Sequence, residues 1–123
     1  MLTVTTTPRA DGDLARIFNT LDQILAFKRA RFPFMKDKLD HDLCLLIGKA
    51  EIEGRNANLT YITTAELGTF STVARHLRRL ESLGVLRKER HAGDKRNVCY
   101  RLAPHVLQGY RDYLGIWQGA IAR

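Results

Sequence analysis

Six side chains able to hydrogen-bond or carry positive charge fall within nine residues: Ser71, Thr72, Arg75, His76, Arg78 and Arg79. Lys95 and Arg96 follow at the end of the polar, glycine-containing stretch His91-Ala92-Gly93-Asp94. Hydroxyls and an imidazole exchange hydrogen bonds with heteroaromatic edges, a guanidinium spans two adjacent acceptors, and lysine or arginine pairs with phosphate. The charge balance points the same way. Residues 71–102 hold nine Lys or Arg against Glu81, Glu89 and Asp94, a net +6 of the +7 carried by the whole chain. Placing the charge on one local unit implies a polyanionic partner.

Other chemistries find less support. There is no Gly-rich phosphate loop, no nucleophile motif and no pair of carboxylates with an evident cleft, so the chain does not read as an enzyme and no cofactor is expected. His41 and Cys44 stand three apart, the one pair with ligand-like spacing. No second pair completes a tetrahedral set, so no metal is expected. Cys44 and Cys99 read as two reduced, buried thiols. Cys99, beside Arg101, is also a candidate for oxidation, weighed against a plain strand cysteine. Asn58-Leu59-Thr60 has the form of a glycosylation sequon, but the N-terminus lacks the pattern of a secretory signal. No apolar run approaches the ~20 residues that span a bilayer. The expectation is a cytoplasmic, nucleoid-associated protein with no membrane contact.

The elements that must position these residues follow from periodicity and punctuation. Residues 1–12 read as a flexible tail. Leu14, Ile17, Phe18, Leu21, Ile24 and Leu25 recur at helical spacing from Asp13 to about Arg31, and Pro33 closes that helix. A second helix runs from about Asp37 to Glu53, with Leu39, Leu43, Leu46, Ile47 and Ala50 inward and Gly54 as its stop. Residues 55–58 form a short polar connection. A short helix is predicted over 60–67, ending at Gly68. Thr69 or Ser71 caps the next, whose inward residues are Val73, Leu77, Leu80 and Leu83 and whose stop is Gly84. Two helices around a short Gly-containing turn make a helix-turn-helix. Strands at 85–90 and 96–102 flank the turn, and Pro104 opens a last helix with Leu107, Tyr110, Leu114, Trp117 and Ile121 as its stripe. The expected fold is α+β, mostly α: a winged helix-turn-helix at 35–103, with dimerisation helices at 13–34 and 104–123.

This layout suits duplex DNA. Ser71, Thr72, Arg75, His76 and Arg79 are predicted to lie opposite the apolar stripe, where they meet a major groove together. Arg75 could reach a guanine O6/N7 pair, worth ~1–3 kcal/mol of discrimination. Arg78, Arg79 and Lys95 would hold phosphates. Arg96, pinned by the Asp94 carboxylate, would probe a minor groove. The bland alternative for the helix arginines is a solvated face.

Ser71-Thr72-Val73-Ala74-Arg75, Leu80-Glu81, Gly84-Val85-Leu86 and Asp94-Lys95-Arg96 running to Leu102 together resemble the MarR family of bacterial winged-helix regulators, over about residues 40–104. The resemblance implies an obligate homodimer, a recognition helix in the major groove and a wing whose arginine, Arg96, enters the minor groove. Many relatives carry a ligand pocket between their dimerisation and DNA-binding parts; the resemblance names no small-molecule effector here. Ala103 departs from the Thr usual at that place, and the chain is short for the family.

The terminal helices point to dimerisation by themselves. Gly109, Gly115 and Gly119 each cost roughly 0.5–1 kcal/mol relative to Ala within a helix, so packing must hold the last one. Its aromatic residues exceed what a small domain covers. Pairing with helix 13–31, within and across a two-fold axis, would bury both stripes; docking within one chain is the alternative. The function expected is sequence-specific binding of double-stranded DNA by a homodimeric transcriptional regulator on an inverted repeat. Two alternatives stay open: an architectural or replication-associated DNA binder, and a winged-helix module that binds protein through its aromatic last helix.

Overall fold

The computed structural model describes residues 8–91 and 94–121, and the side chains of 11–90 and 98–121. In chain order the elements are α1 (Pro8–Arg31), α2 (Lys38–Ile52), α3 (Leu59–Thr64), α4 (Phe70–Ser82), β1 (Leu86–His91), β2 (Asp94–Leu102) and α5 (Pro104–Ile121). They divide into two units, residues 34–108 and the remainder on either side.

The 34–108 unit is built on three helices and an antiparallel hairpin. Asp37 caps α2: its side chain accepts from the Asp40 N–H at 3.1 Å, while the Asp40 carboxylate reaches back to the Asp37 backbone. This reciprocal pairing satisfies two backbone donors that helix geometry leaves over. Both α2 and α4 end in a paired closure. Gly54 and Gly84 take positive φ (72° and 75°), and the residue after each glycine folds back, Arg55 N–H to Ala50 C=O at 2.8 Å and Val85 N–H to Leu80 C=O at 2.9 Å. Only glycine adopts that left-handed turn without steric cost. The second closure corrects one expectation. Leu83, expected to face inward, is exposed, and it is Val85, on the far side of the glycine turn, that is buried. Leu43, Ile47, Ile62, Val73, Leu77, Leu80, Val85 and Leu102 form the center of the core.

The short helix stops at Thr64, not at 67. The Ala65 and Glu66 N–H groups bond tightly to the Ile62 and Thr63 carbonyls, and the chain reverses at Glu66 (φ 54°) before Gly68 is reached. The hairpin pairs Leu86 with Leu102 through Arg90 with Val98, then shifts register between Arg90 and His91. Residues 55–58 are more than a polar connection. Ala57 is buried, its carbonyl accepts from Tyr100 N–H at 2.9 Å, and Asn58 bridges to Cys99, adding a short third edge to the sheet. On the opposite side α2 approaches closely: a methyl at Gly48 would lie 2.8 Å from Leu102 Cδ1.

The second unit holds α1 and the greater part of α5. Phe32 is buried beside Gly109, where a Cβ would come within 2.6 Å of its ring. Phe32 also meets Tyr110 (4.9 Å between centroids) and Phe27, which stacks on Tyr113. Arg31 and Asp112 pair at 2.7 Å. Helix α1 begins at Pro8, so residues 8–12 are helical where a tail was predicted; proline suits a first helical turn because its missing N–H would have had no partner there. Of the expected α1 stripe only Ile24 is buried. Leu14, Ile17, Phe18, Leu21 and Leu25 are exposed, as are Leu114, Trp117 and Ile121 on α5. Among the described residues no helix is long and apolar enough to cross a membrane.

Candidate nucleic-acid interface

The Thr69 hydroxyl opens α4, accepting from the Thr72 N–H at 3.3 Å and donating to Thr72 Oγ1 at 2.8 Å. From there the helical repeat of ~100° per residue sorts the side chains into rows. Val73, Leu77 and Leu80 form the buried row. Ser71, Arg75, Arg78 and Ser82 form the row opposite, and all four are exposed. Arg75 and Arg78 have no ion-pair partner among the described residues. Thr72, His76 and Arg79 make a third row on one flank, from which His76 and Arg79 reach the start of α2.

That flank corrects the sequence reading, which placed His76 and Arg79 outward with Arg75. His76 keeps only 12% of its side chain exposed. Its Nδ1 lies 2.9 Å from Asp40 Oδ1, and the Arg79 guanidinium pairs with Asp40 Oδ2 and donates to the Phe34 carbonyl at 3.3 Å. Asp40 is completely buried. Burial pushes its carboxyl pKa up, but the hydrogen bonds from His76 and the Lys36 backbone and the charge of Arg79 outweigh that, leaving it below the ordinary 3.8. Helical phase alone could not separate the flank from the exposed row, because the partner is far away in sequence. The signal available was a carboxylate at Asp40, in phase with Leu43, Cys44 and Ile47 on the face of α2 that goes inside.

Asp37, Asp40 and His76 bring one ligand atom each within 4.8 Å, a spacing a cation could use. Both Asp40 oxygens are already engaged by side-chain donors, so hydrogen bonding accounts for the cluster. The pair singled out by spacing, His41 and Cys44, offers less. Cys44 is fully buried, and burial, with the nearby Asp40 charge, raises its thiol pKa to about 12, far from the thiolate a metal needs. Cys99 is also buried, in keeping with the reading of both cysteines as free core thiols.

The hairpin carries cations on both faces. Lys88 pairs with Glu81 at 3.5 Å and sits over the Tyr100 ring. Arg101 pairs with Glu89 and lies 3.9 Å from Glu51. An open groove of about 570 Å³ separates Asn58, Leu59 and Thr60 from Lys88, Arg90 and Tyr100. Lys88 and Arg90, not singled out from the sequence, give it positive walls, a feature that strand alternation from the Leu86–Leu102 pair could have indicated. The backbone of β2 includes 94–96, but the side chains of Asp94, Lys95 and Arg96, and with them the predicted pinning of Arg96, lie outside the described residues.

No family model matches the chain, and no curated protein does. Its fold is similar to those of several solved structures. One is MarR, at 17% identity and a TM-score of 0.54, covering 85% of this chain and 77% of that one. Another is AbsC, a MarR family transcriptional regulator from Streptomyces coelicolor, at 18% identity and 0.53, covering 97% and 80%. A third is FabT of Streptococcus pneumoniae, solved in complex with DNA, at 24% identity and 0.54, covering 93% and 80%. At these identities the likeness establishes the fold: a winged helix with helices before and after it, as the sequence led us to expect.

Proposed function

We propose that the chain is a sequence-specific, double-stranded-DNA-binding transcriptional regulator of the MarR kind, acting as a homodimer on an inverted repeat. The observation that carries this reading is the exposed row of α4, Ser71, Arg75 and Arg78, set opposite the buried row on the second helix of a helix-turn-helix. Short hydroxyl residues at the start of such a helix allow close approach to base edges, and the arginines behind them supply base or phosphate contacts. In this reading Ser71, Thr72 and Arg75 meet bases and Arg78 holds a phosphate. Lys95 and Arg96 serve on the wing, and His76 and Arg79 support the helix from its flank. FabT, a structural neighbour solved in complex with DNA, supports DNA as the partner.

The homodimer rests on the eight large apolar side chains that α1 and α5 leave in water. Each buried Leu, Ile or Phe contributes roughly 1.5–3 kcal/mol, so a second copy covering this face would be strongly held. A two-fold dimer then favours half-sites ~34–36 Å apart or a multiple of that. Such a regulator would work in the cytoplasm on the nucleoid and needs no catalytic group. Selection from random duplex DNA tests the proposal. An enriched inverted repeat is the expected result. No duplex binding at low salt would overturn it and favour a protein-interaction module, and binding without any enriched sequence would favour an architectural role.

A further inference from the structure

A fully buried carboxylate at the foot of the reading helix calls for a reason beyond stability. Replacing a buried ion pair by apolar side chains of similar volume is often neutral or stabilising, so Asp40 is a poor choice if holding the core together is its only task. What a carboxylate offers that Leu does not is direction. Its Oδ1 faces His76 Nδ1 at 2.9 Å, and its Oδ2 takes the Lys36 N–H at 2.8 Å together with the Arg79 guanidinium. Arg79 in turn donates to the Phe34 carbonyl. His76 and Arg79 are three residues apart on one flank of α4, so a single fixed group grips the helix at two points about one turn apart.

The buried row of Val73, Leu77 and Leu80 packs the helix but does so through non-directional contacts, which define its roll less sharply than two hydrogen bonds to one fixed group. A helix with its side chains is about 10–12 Å across, so a roll of roughly 20° moves the tips of the exposed row by about 2 Å. Base readout depends on hydrogen bonds whose useful range is only ~0.5 Å wide. Contacts to phosphates by long, mobile cationic side chains tolerate such a shift far better.

We propose that Asp40 is a specificity-determining positioning residue: through His76 and Arg79 it sets the roll of α4, and so decides whether Ser71, Thr72 and Arg75 meet base edges in register. The inference rests on the DNA-binding reading above. It predicts a separation of two quantities, preference among sequences and general affinity for duplex.

The test uses the full chain, the duplex sequence selected by the wild type and a random duplex of equal length. Asp40→Asn keeps the size and one acceptor but loses the charge. The expected result is a drop of about tenfold or more in the affinity ratio of selected to random duplex, with random-duplex affinity and salt slope as in the wild type. A folded Asp40→Asn that keeps the wild-type ratio overturns the inference, even if its melting temperature falls, because then Asp40 only stabilises. If Asp40→Asn does not fold, Arg79→Gln decides. A lowered ratio with an unchanged salt slope supports positioning. Equal weakening on both duplexes, with the slope reduced by about one contact, makes Arg79 a phosphate ligand and overturns the inference. Should the wild type bind no duplex at all, the DNA-binding reading fails first and the inference falls with it.

Discussion

The two units of the chain treat their side chains in opposite ways. In residues 34–108 large apolar groups are mostly inside, both long helices end in closed caps, and Asp40, the one fully buried charge among the described residues, has partners on both oxygens. In α1 and the later part of α5, an aromatic cluster around Phe32 is packed, yet Phe18 is 62% exposed and Ile121 79%. The first unit closes a core of its own, with Leu45, Ile52, Leu59, Phe70 and Leu83 left exposed around it. In the second the exposed groups recur along one helix, α1, and the function proposed above assigns that unit to assembly and the winged unit to recognition.

The largest effect should come from the second unit. Replacing both Ile17 and Leu21 by Glu puts charges on the exposed face of α1 without touching the packed cluster. Light scattering should then report the mass of one chain instead of two. Affinity for the inverted repeat should fall by about a hundredfold or more, since two protomers each lose two apolar contacts of roughly 1.5–3 kcal/mol. An unchanged mass would erase the distinction between the units. Within the winged unit, Leu80→Ala should cost about 2–5 kcal/mol in urea unfolding, whereas Leu83→Ala should stay within about 0.5 kcal/mol, because only Leu80 is buried. Comparable losses would contradict the core described for α4. The packed part of the second unit has its own probe. Gly109→Ala drives a methyl into the Phe32 ring and should destabilise by about 1–3 kcal/mol on thermal unfolding.

A smaller, conditional effect comes from acid. The Asp40 carboxyl is held below its ordinary value of 3.8 in the folded chain. Its contribution to stability is therefore fully present above pH 3.8 and is lost as pH falls through the folded pKa below that. Denaturant midpoints of the wild type and Asp40→Asn should differ above that pH and converge as pH falls well beneath it. A difference that persisted undiminished far below pH 3.8 would contradict the assignment.

Much of the winged unit was legible because its boundaries are set by local chemistry. Gly54 and Gly84 stop their helices through a backbone conformation that other residues reach at a cost, and Thr69 caps by virtue of a hydroxyl three residues from its target. The alternation of Val98, Tyr100 and Leu102 likewise marks a strand. What escaped reading depends on distance along the chain. The partners of Asp40 are 36 and 39 residues away, and the bridge from Asn58 to Cys99 joins segments with no shared pattern. Helical phase put His76 and Arg79 beside Arg75 because it knows the angle of a side chain but not what waits there. The stripe of α1 was legible as an apolar face, but periodicity is silent on whether this chain or another covers it.

Arg75 is the residue on which the recognition claim turns, being exposed on the row opposite the core and one helical turn inside α4. The decisive measurement is the affinity of wild type and Arg75→Ala for the selected duplex and for a random duplex, over a range of salt concentrations. The selected duplex should lose roughly 1–3 kcal/mol of its advantage in the variant, about five- to 150-fold. If Arg75→Ala discriminates between the two duplexes as the wild type does, the exposed row of α4 is not the reading surface.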